Sequence, residues 1–433
     1  MAAPLYECLR AFQPDVRLFT PGHKGCLGGL FSTIAPFDVT ELADTDNLYA
    51  PDGAIAQAEK LASLYYKSQY TFFSAGGASL CIQTALSLFT GRCVIMDRNS
   101  HISAFRAAAT LDINMAFLTN GFLDVPVAVT AEQVKQACIL YPNACAVYIT
   151  SPNYYGLCAD LSMIKKICIR YGKILIVDNA HGSHMFVTNQ DTCAHRFADI
   201  VIDSAHKTLP VLTGGAYLHF YMQVDSTFIK ENMRYFGSTS PSYLILLSLD
   251  LCREWMQLYA TSAFAVSVKQ VDQLKQFFAG KGIKVLNAPG QDPMRITLCV
   301  NDGNGLASFM QEAGIYCEMC GQNTVVMLFS PFNQDRDFEK IKSFFNQIYY
   351  KINYNPLHLC IPETKPLQGK SYRNAFFGTC KKIKISDSIG QVAAKDIMPY
   401  PPGVPILLAG ELITRGKVDY LKMFCIEEVF VTI

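Results

Sequence analysis

Apolar side chains recur at helical spacing near the start of the chain and form short unbroken runs farther on. Ile55, Ala58 and Ala62 lie on one helical face, which predicts a helix over 53–67. The unbroken runs predict strands at 70–73, 93–96, 115–118, 146–150, 174–177 and 200–202, with helices between them at 80–89, 102–109, 131–140 and 161–171. Continuous rather than alternating apolar runs indicate a mainly parallel sheet that is covered on both faces. The pattern therefore predicts a doubly wound α/β domain, whose ligand lies beyond the carboxyl ends of the strands.

The pattern changes after this domain. One long helix or two is predicted over 243–278, followed by a smaller α/β unit with strands at 283–286, 295–300 and 325–329. The proline-rich stretch 400–405 cannot form a regular helix or a central strand, and it either shapes a site or links two elements. We expect an N-terminal arm (1–48), a large ligand-binding domain (49–265), a small α/β domain (266–350) and a C-terminal domain (351–433).

Composition narrows the class of protein. Of 433 residues, 50% are hydrophobic and 17% are charged, which excludes a disordered chain. The net charge of +1 gives no electrostatic reason to expect nucleic acid or an anionic membrane as a partner. No stretch reaches the roughly 18 apolar residues of a membrane span, and residues 1–10 do not resemble a signal peptide. We expect a soluble, cytoplasmic protein whose apolar surplus fills a large core or a subunit interface.

The 16 cysteines are mostly scattered singly through apolar runs, as expected for reduced thiols that behave as small hydrophobic side chains. Cys317 and Cys320 have the spacing of a redox or metal motif, but no second pair or histidine accompanies them. We predict no thiol chemistry and no metal site.

Three short stretches at strand ends carry candidate chemistry. The first, 74–79, has the sequence Ser-Ala-Gly-Gly-Ala-Ser between a strand and a helix. Its small residues let backbone N–H groups converge on an anion at the helix N-terminus, although the same sequence also suits a plain tight turn. The G-x-G-x-x-G spacing of a dinucleotide site is missing.

The second stretch ends the strand at 174–177 with Asp178. A desolvated carboxylate needs a partner, for which a protonated pyridine nitrogen is suitable, whereas a helix-capping role is the alternative. His181 and His184 could be read as a metal pair, but nothing nearby in the sequence completes the set of ligands.

The third stretch places Lys207 just beyond the strand at 200–202. A desolvated lysine loses its proton readily and can form a Schiff base, although a surface lysine in a loop is the alternative. An anion loop, a strand-end Asp178 and a strand-end Lys207 together are the set that pyridoxal 5′-phosphate needs. His101 follows the strand at 93–96, where its ring could stack on the cofactor or cap the next helix.

These stretches and others resemble one family, the ornithine/lysine/arginine decarboxylases of the aspartate-aminotransferase fold, in the short form without an N-terminal receiver-like domain. The matching motifs run nearly end to end: Thr20-Pro21-Gly22-His23-Lys24-Gly25, Asp38-Val39-Thr40-Glu41, Ser151-Pro152-Asn153-Tyr154-Tyr155-Gly156, the segments 177–182 and 204–209, Ser238-Thr239-Ser240-Pro241-Ser242-Tyr243, Pro401-Pro402-Gly403-Val404-Pro405 and Gly410-Glu411-Leu412-Ile413-Thr414.

The resemblance implies a role for each matching residue. Lys207 would form the Schiff base, Asp178 would meet the pyridine nitrogen and His101 would stack on the ring. The remaining predicted cofactor contacts are Ala78, Ser79, Ala180, Ser204 and His206. Thr239 would reach the cofactor of an adjacent subunit, which implies a homodimer or a higher homo-oligomer with shared sites. Glu411 would meet the distal amine of the substrate, because a cationic side chain entering a pocket needs a counter-charge.

The implied reaction is α-decarboxylation of arginine, lysine or ornithine, with Lys207 or His206 as proton donor. Another pyridoxal-phosphate reaction, such as transamination or a lyase reaction, and a binding or regulatory homologue are the alternatives, because fold and cofactor do not decide which bond breaks. Five residues depart from common family patterns: Gly76, Ala78, Ile102, Asn179 and Ala409. They suggest a divergent member with altered substrate preference or weak activity.

Overall fold

The computed structural model describes residues 3–118, 127–347, 370–398 and 405–433. Its helices are α1 (Pro4–Ala11), α2 (Ala54–Tyr66), α3 (Gly77–Ser87), α4 (Ile102–Thr110), α5 (Ala131–Leu140), α6 (Leu161–Arg170), α7 (Met185–Thr188), α8 (Ser226–Phe236), α9 (Tyr243–Leu258), α10 (Ala260–Gly280), α11 (Gly303–Glu312), α12 (Asp335–Gln347), α13 (Tyr372–Phe377) and α14 (Arg415–Lys422). Its strands are β1 (Tyr70–Ser74), β2 (Cys93–Met96), β3 (Asn114–Phe117), β4 (Ala146–Thr150), β5 (Ile174–Asp178), β6 (Ile200–Asp203), β7 (Ala216–Phe220), β8 (Lys284–Val285), β9 (Arg295–Cys299), β10 (Met319–Cys320), β11 (Thr324–Leu328), β12 (Cys380–Lys384) and β13 (Glu428–Thr432).

The large sheet has seven strands in the order β1-β7-β6-β5-β4-β2-β3. Strand β7 runs antiparallel to β1 and β6, whereas β5 and β6 run parallel, as do β2 and both of its neighbours β3 and β4. The predicted α/β class with a mainly parallel sheet is confirmed. The sequence analysis did not predict β7, although all five of its residues are buried.

Contacts divide the chain into two compact units, Met1–Leu88 with Ile174–Val266, and Phe89–Lys173 with Ser267–Ile433. In the first unit, α2 buries Ile55, Ala58 and Ala62, the face that the sequence pattern predicted. The second unit contains a four-stranded antiparallel sheet in the order β10-β11-β9-β8 and a two-stranded sheet of β12 and β13. The four-part division drawn from the sequence stays a prediction, and residues 401–404 of its proline-rich motif lie outside the described residues.

Candidate active site

Neighbouring parallel strands of the first unit place Asp178 and Lys207 at one edge of the sheet. Asp178 ends β5 and pairs in register with Ile202 of β6. The backbone N–H of Asn179 donates to the carbonyl oxygen of Ile202 at 2.9 Å, which extends the pairing by one residue. A 3-10 turn (Ala205–Lys207) follows β6 directly, so Lys207 leaves the sheet where Asp178 does.

The amine of Lys207 lies against an imidazole. Its Nζ is 3.1 Å from Nε2 of His181, a buried side chain three residues after Asp178. Lys207 is half-buried, so its amine is partly withdrawn from water. An amine and an imidazole at hydrogen-bonding distance can share a proton, which is the arrangement that a lysine nucleophile needs.

The carboxylate of Asp178 is 2% exposed, and its Oδ1 accepts from the backbone N–H of Ala180 at 3.2 Å. Its negative charge also acts on the thiol of Cys81 in helix α3. Burial raises the pKa of the Cys81 thiol to about 12, and the charges of Asp203 and Asp178 push it in the same direction. Cys81 therefore stays a protonated thiol at neutral pH.

The small-residue loop before α3 is folded for close backbone approach. Gly77 has a positive φ of 67°, a conformation that favours glycine, and its N–H donates to the carbonyl oxygen of Gly214 at 2.8 Å. Ala78 and Ser79 stand in the first turn of α3, where backbone N–H groups have no acceptor within the helix. Ser79 is exposed. This loop can therefore accept an anion.

Backbone hydrogen bonds join the anion loop to the lysine turn. Gly214, which accepts from the anion loop, is followed by Gly215, whose carbonyl oxygen accepts from His206 N–H at 3.2 Å. The carbonyl oxygen of the buried Ser204 accepts from Lys207 N–H at 3.0 Å. The structure thus brings the three predicted stretches together within one unit.

Two predicted site residues are placed differently. His101 belongs to the second unit and caps α4, with Nδ1 2.7 Å from the hydroxyl of Ser103 and accepting from Ser103 N–H. The capping alternative is therefore realised, and stacking on a cofactor stays a prediction. Thr239 is exposed in the loop between α8 and α9 of the first unit.

Glu411 is buried in the second unit and surrounded by cations of its own chain. Arg98 donates to both carboxylate oxygens, from Nε to Oε1 at 3.1 Å and from Nη2 to Oε2 at 3.3 Å. Oε2 also accepts from Nζ of Lys417 at 2.9 Å and from the backbone N–H of Leu408 at 3.1 Å. Burial alone would raise the pKa of Glu411, but the charges of Arg98 and Lys417 outweigh it and hold the pKa below its usual range. Glu411 is thus ionised and already has two counter-charges.

Another buried carboxylate, Asp203 at the end of β6, lies between His195 and His219. Ligand atoms of these three side chains lie within 4.8 Å of one another, the only group of this metal-ligand type among the described residues. His181 and His184, the pair weighed from the sequence, do not belong to it.

The sequence did not predict the contacts of three residues at these sites: His181, Lys417 and Arg98. His181 was weighed only as a metal ligand, and it meets Lys207 because β5 pairs with β6. Lys417, six residues after Glu411, gave a weak local signal, whereas Arg98 gave none.

All cysteines in the described ranges are free thiols, including Cys317 and Cys320. Within these ranges, no helix combines the length and the apolar character needed to cross a bilayer.

Residues 4–294 match the family described as Orn/Lys/Arg decarboxylase, major domain, and residues 355–429 match its C-terminal domain. The uncharacterized protein YaaO of Bacillus subtilis is 30% identical, over 98% of this chain and 94% of its own. Arginine decarboxylase of the same organism is 27% identical, over 96% and 92% respectively.

A solved structure shows the same fold. Lysine decarboxylase LdcF of Francisella novicida superposes with a TM-score of 0.85 and 17% identity, over all of this chain and 81% of its own. The predicted aspartate-aminotransferase-like fold is confirmed. With family matches covering both its major and its C-terminal portions, this chain belongs to the Orn/Lys/Arg decarboxylase family, as its motifs predicted.

Proposed function

We propose that the protein removes the α-carboxyl group of a basic amino acid as CO2, with pyridoxal phosphate held by Lys207 beside Asp178. Membership of the decarboxylase family confirms the predicted enzyme class and cofactor. The observation that carries the assignment of residues is the placement of Lys207 and Asp178 at the ends of paired strands, with His181 3.1 Å from the lysine amine.

The residues fit the three reactive parts of this cofactor. The half-buried amine of Lys207 suits its aldehyde carbon, and the buried carboxylate of Asp178 suits its pyridine nitrogen. Its phosphate suits the first turn of α3, at Ala78 and Ser79. Ala180, Ser204 and His206 flank these groups as predicted contacts. Each reactive part of the cofactor therefore has a chemically suitable partner in the first unit, so the chain can hold the cofactor.

Bound pyridoxal phosphate supplies a ring that takes up the electron pair left at the α-carbon when CO2 departs. The chain's own groups prepare that chemistry. The negative charge of Asp178 favours a protonated ring nitrogen. His181 can take the proton that the Lys207 amine must lose before it acts as a nucleophile. Lys207 or His206 then returns a proton to the α-carbon.

The substrate is proposed to be arginine, lysine or ornithine. The relatives include proteins named arginine decarboxylase and lysine decarboxylase. Glu411 is predicted to meet the distal amine of the substrate. That amine would have to share a carboxylate that already binds Arg98 and Lys417. That role therefore stays a prediction.

We also propose a cytoplasmic homodimer or higher homo-oligomer in which Thr239 contributes to the site of a neighbouring subunit. The exposed position of Thr239 and the free thiols support this. Mixing inactive Lys207→Ala and Thr239→Ala subunits should restore activity in hybrid dimers if sites are shared. No restoration in verified hybrids would contradict sharing.

The reaction is tested by incubating cofactor-loaded protein with each of the three amino acids and measuring CO2 and the amine. We expect both products from at least one of them. A keto acid without CO2 would instead support the transaminase alternative. Lys166→Ala, which removes an exposed lysine of α6, is the matched control for Lys207→Ala.

A further inference from the structure

The carboxylate of Asp203 connects the two strand ends that carry the proposed site. Its Oδ1 accepts from the side-chain amide of Asn179 at 2.5 Å, and its Oδ2 lies 3.1 Å from Nε2 of His195. Asn179 directly follows Asp178, and Asp203 stands four residues before Lys207. Asp203 is 0% exposed and Asn179 is 1% exposed. The carboxylate of Asp203, at the end of β6, therefore binds the residue that follows the end of β5.

Hydrogen-bonding contacts hold His195 on both sides of its ring. Nδ1 lies 2.7 Å from the hydroxyl of Tyr221, which donates to the carbonyl oxygen of Tyr66 at 3.1 Å. Nε2 lies 3.1 Å from Oδ2 of Asp203. The buried carboxylate of Asp203 is therefore held between the amide of Asn179 and the imidazole of His195.

His219 completes the cluster from the other side. Its Nδ1 lies 2.9 Å from the hydroxyl of Thr71, which lies 2.8 Å from that of Ser68, and its Nε2 lies 3.4 Å from Asp203. Burial lowers the pKa of His219 to about 4, with the charge of His195 contributing. Burial alone would raise the pKa of Asp203, but the two histidines outweigh it and hold the pKa well below its usual range. Asp203 is therefore a fixed carboxylate at neutral pH.

We propose that Asp203 is a positioning residue that holds Asn179, and through it the carboxylate of Asp178, at a fixed distance from Lys207. This proposal rests on the proposed function of Asp178 and Lys207. The backbone N–H of Asn179 is bonded to Ile202, and its side chain is bonded to the next residue of the same strand. Two bonds to adjacent residues fix both the position and the rotation of the peptide that follows Asp178.

The two histidines explain why this contact is rigid. A buried carboxylate that contacts His195 and His219 through Oδ2 cannot turn toward another donor without losing those contacts. The side-chain amide of Asn179 thus donates to a carboxylate whose position is set by its contacts with His195 and His219. Small displacements of a catalytic group cost rate disproportionately, since about 1 Å can cost about 100-fold.

The test compares Asn179→Ala with Thr71→Val. Asp203 itself is unsuitable for substitution, because its loss would leave the buried imidazoles of His195 and His219 without their shared partner. Asn179→Ala removes the bond to Asp203 and leaves both histidine contacts in place. Thr71→Val removes the hydroxyl that contacts His219 in the same buried cluster and leaves the bond between Asn179 and Asp203. A purely structural role predicts similar effects from both variants.

We expect Asn179→Ala to lower kcat about 10-fold or more, to change KM less than about threefold and to shift the visible absorbance maximum of the bound cofactor. Thr71→Val should lower the melting temperature but keep kcat within about twofold and leave the absorbance maximum in place. Unchanged kcat and absorbance in Asn179→Ala, or equal changes in both variants, would overturn the proposal. So would a stoichiometric metal ion at His195, Asp203 and His219 in metal analysis of the purified protein.

The absorbance readout separates this proposal from the proposed function. If the wild-type protein releases no CO2 from any basic amino acid, the function fails, but a cofactor shift confined to Asn179→Ala still supports the positioning role. If the wild-type protein is active and Asn179→Ala matches it in both rate and absorbance, the positioning role alone fails.

Discussion

Two buried carboxylates, one in each unit, are stabilised in different ways. Asp203 lies between the imidazoles of His195 and His219, whereas Glu411 lies between the guanidinium group of Arg98 and the amine of Lys417. Both carboxylates have lowered pKa values although burial opposes ionisation. A carboxylate withdrawn from water is thus stabilised by imidazoles beside the proposed cofactor site, and by a guanidinium group and an amine around Glu411.

The two clusters also differ in what they connect. Asp203 joins adjacent strand ends of one sheet through Asn179. Glu411 joins segments 313 residues apart, because Arg98 also donates to the carbonyl oxygens of Pro405 and Ile406, at 2.6 and 3.1 Å. The first cluster therefore sets local geometry, and the second ties the chain's C-terminal region to the loop after β2.

Removing Arg98 should have the largest effect on stability. Arg98→Ala leaves Glu411 buried with one cation and deprives two carbonyl oxygens of a donor, which should cost about 3–5 kcal/mol in the free energy of unfolding. Urea denaturation measures this cost. Lys135→Ala, which breaks an exposed ion pair with Glu132, is the control and should leave the urea midpoint unchanged. An equally small shift for Arg98→Ala would contradict the description of the Glu411 cluster.

Mild acid should weaken the protein through His219 before it affects Glu411. The folded pKa of His219 is about 4, below its ordinary value, so the unfolded chain binds the extra proton over this interval. Stability is complete above roughly pH 6.5 and falls as pH approaches 4, by about 3 kcal/mol in total. Glu411 has a lowered pKa as well, so its contribution is present above its ordinary pKa and is lost only as pH falls further.

Urea denaturation at several pH values between 7 and 4 measures this loss. His219→Gln should flatten the dependence, and a slope unchanged by that substitution would assign the acid sensitivity to other groups.

Glu411→Gln should have a smaller effect on stability than the two changes above. The substitution keeps the shape but leaves Arg98 and Lys417 facing each other without their counter-charge, which should cost about 2 kcal/mol in stability. Steady-state kinetics on the preferred basic amino acid separates the two roles of Glu411. If the carboxylate serves only its own cations, KM should change less than about threefold. A rise in KM of about 100-fold would instead support direct contact with the distal amine of the substrate.

The sequence predicted the parts of this molecule that depend on local pattern. The apolar run ending in Asp178 and the run before Lys207 became paired parallel strands, because buried parallel strands need continuous apolar residues. Strand β7 was missed because His219 interrupts its apolar pattern. The burial of that histidine makes sense only once Asp203 is seen beside it.

Contacts between distant segments could not be predicted in this way. The imidazole of His181 meets Lys207 only because β5 and β6 are paired, and no spacing along the chain announces that contact. The resemblance identified Glu411 as a charged residue of interest, but its partner Arg98 lies 313 residues away and carries no local signal.

In the proposed function, Lys207 is the amine that holds the cofactor. Treating the cofactor-loaded protein with borohydride, digesting it and mapping the pyridoxyl-phosphate label by mass spectrometry tests this directly. We predict the label on the peptide containing Lys207, and its absence from that peptide in Lys207→Ala but not in Lys166→Ala. A label on another lysine of the wild-type protein, with the Lys207 peptide unmodified, would contradict the account.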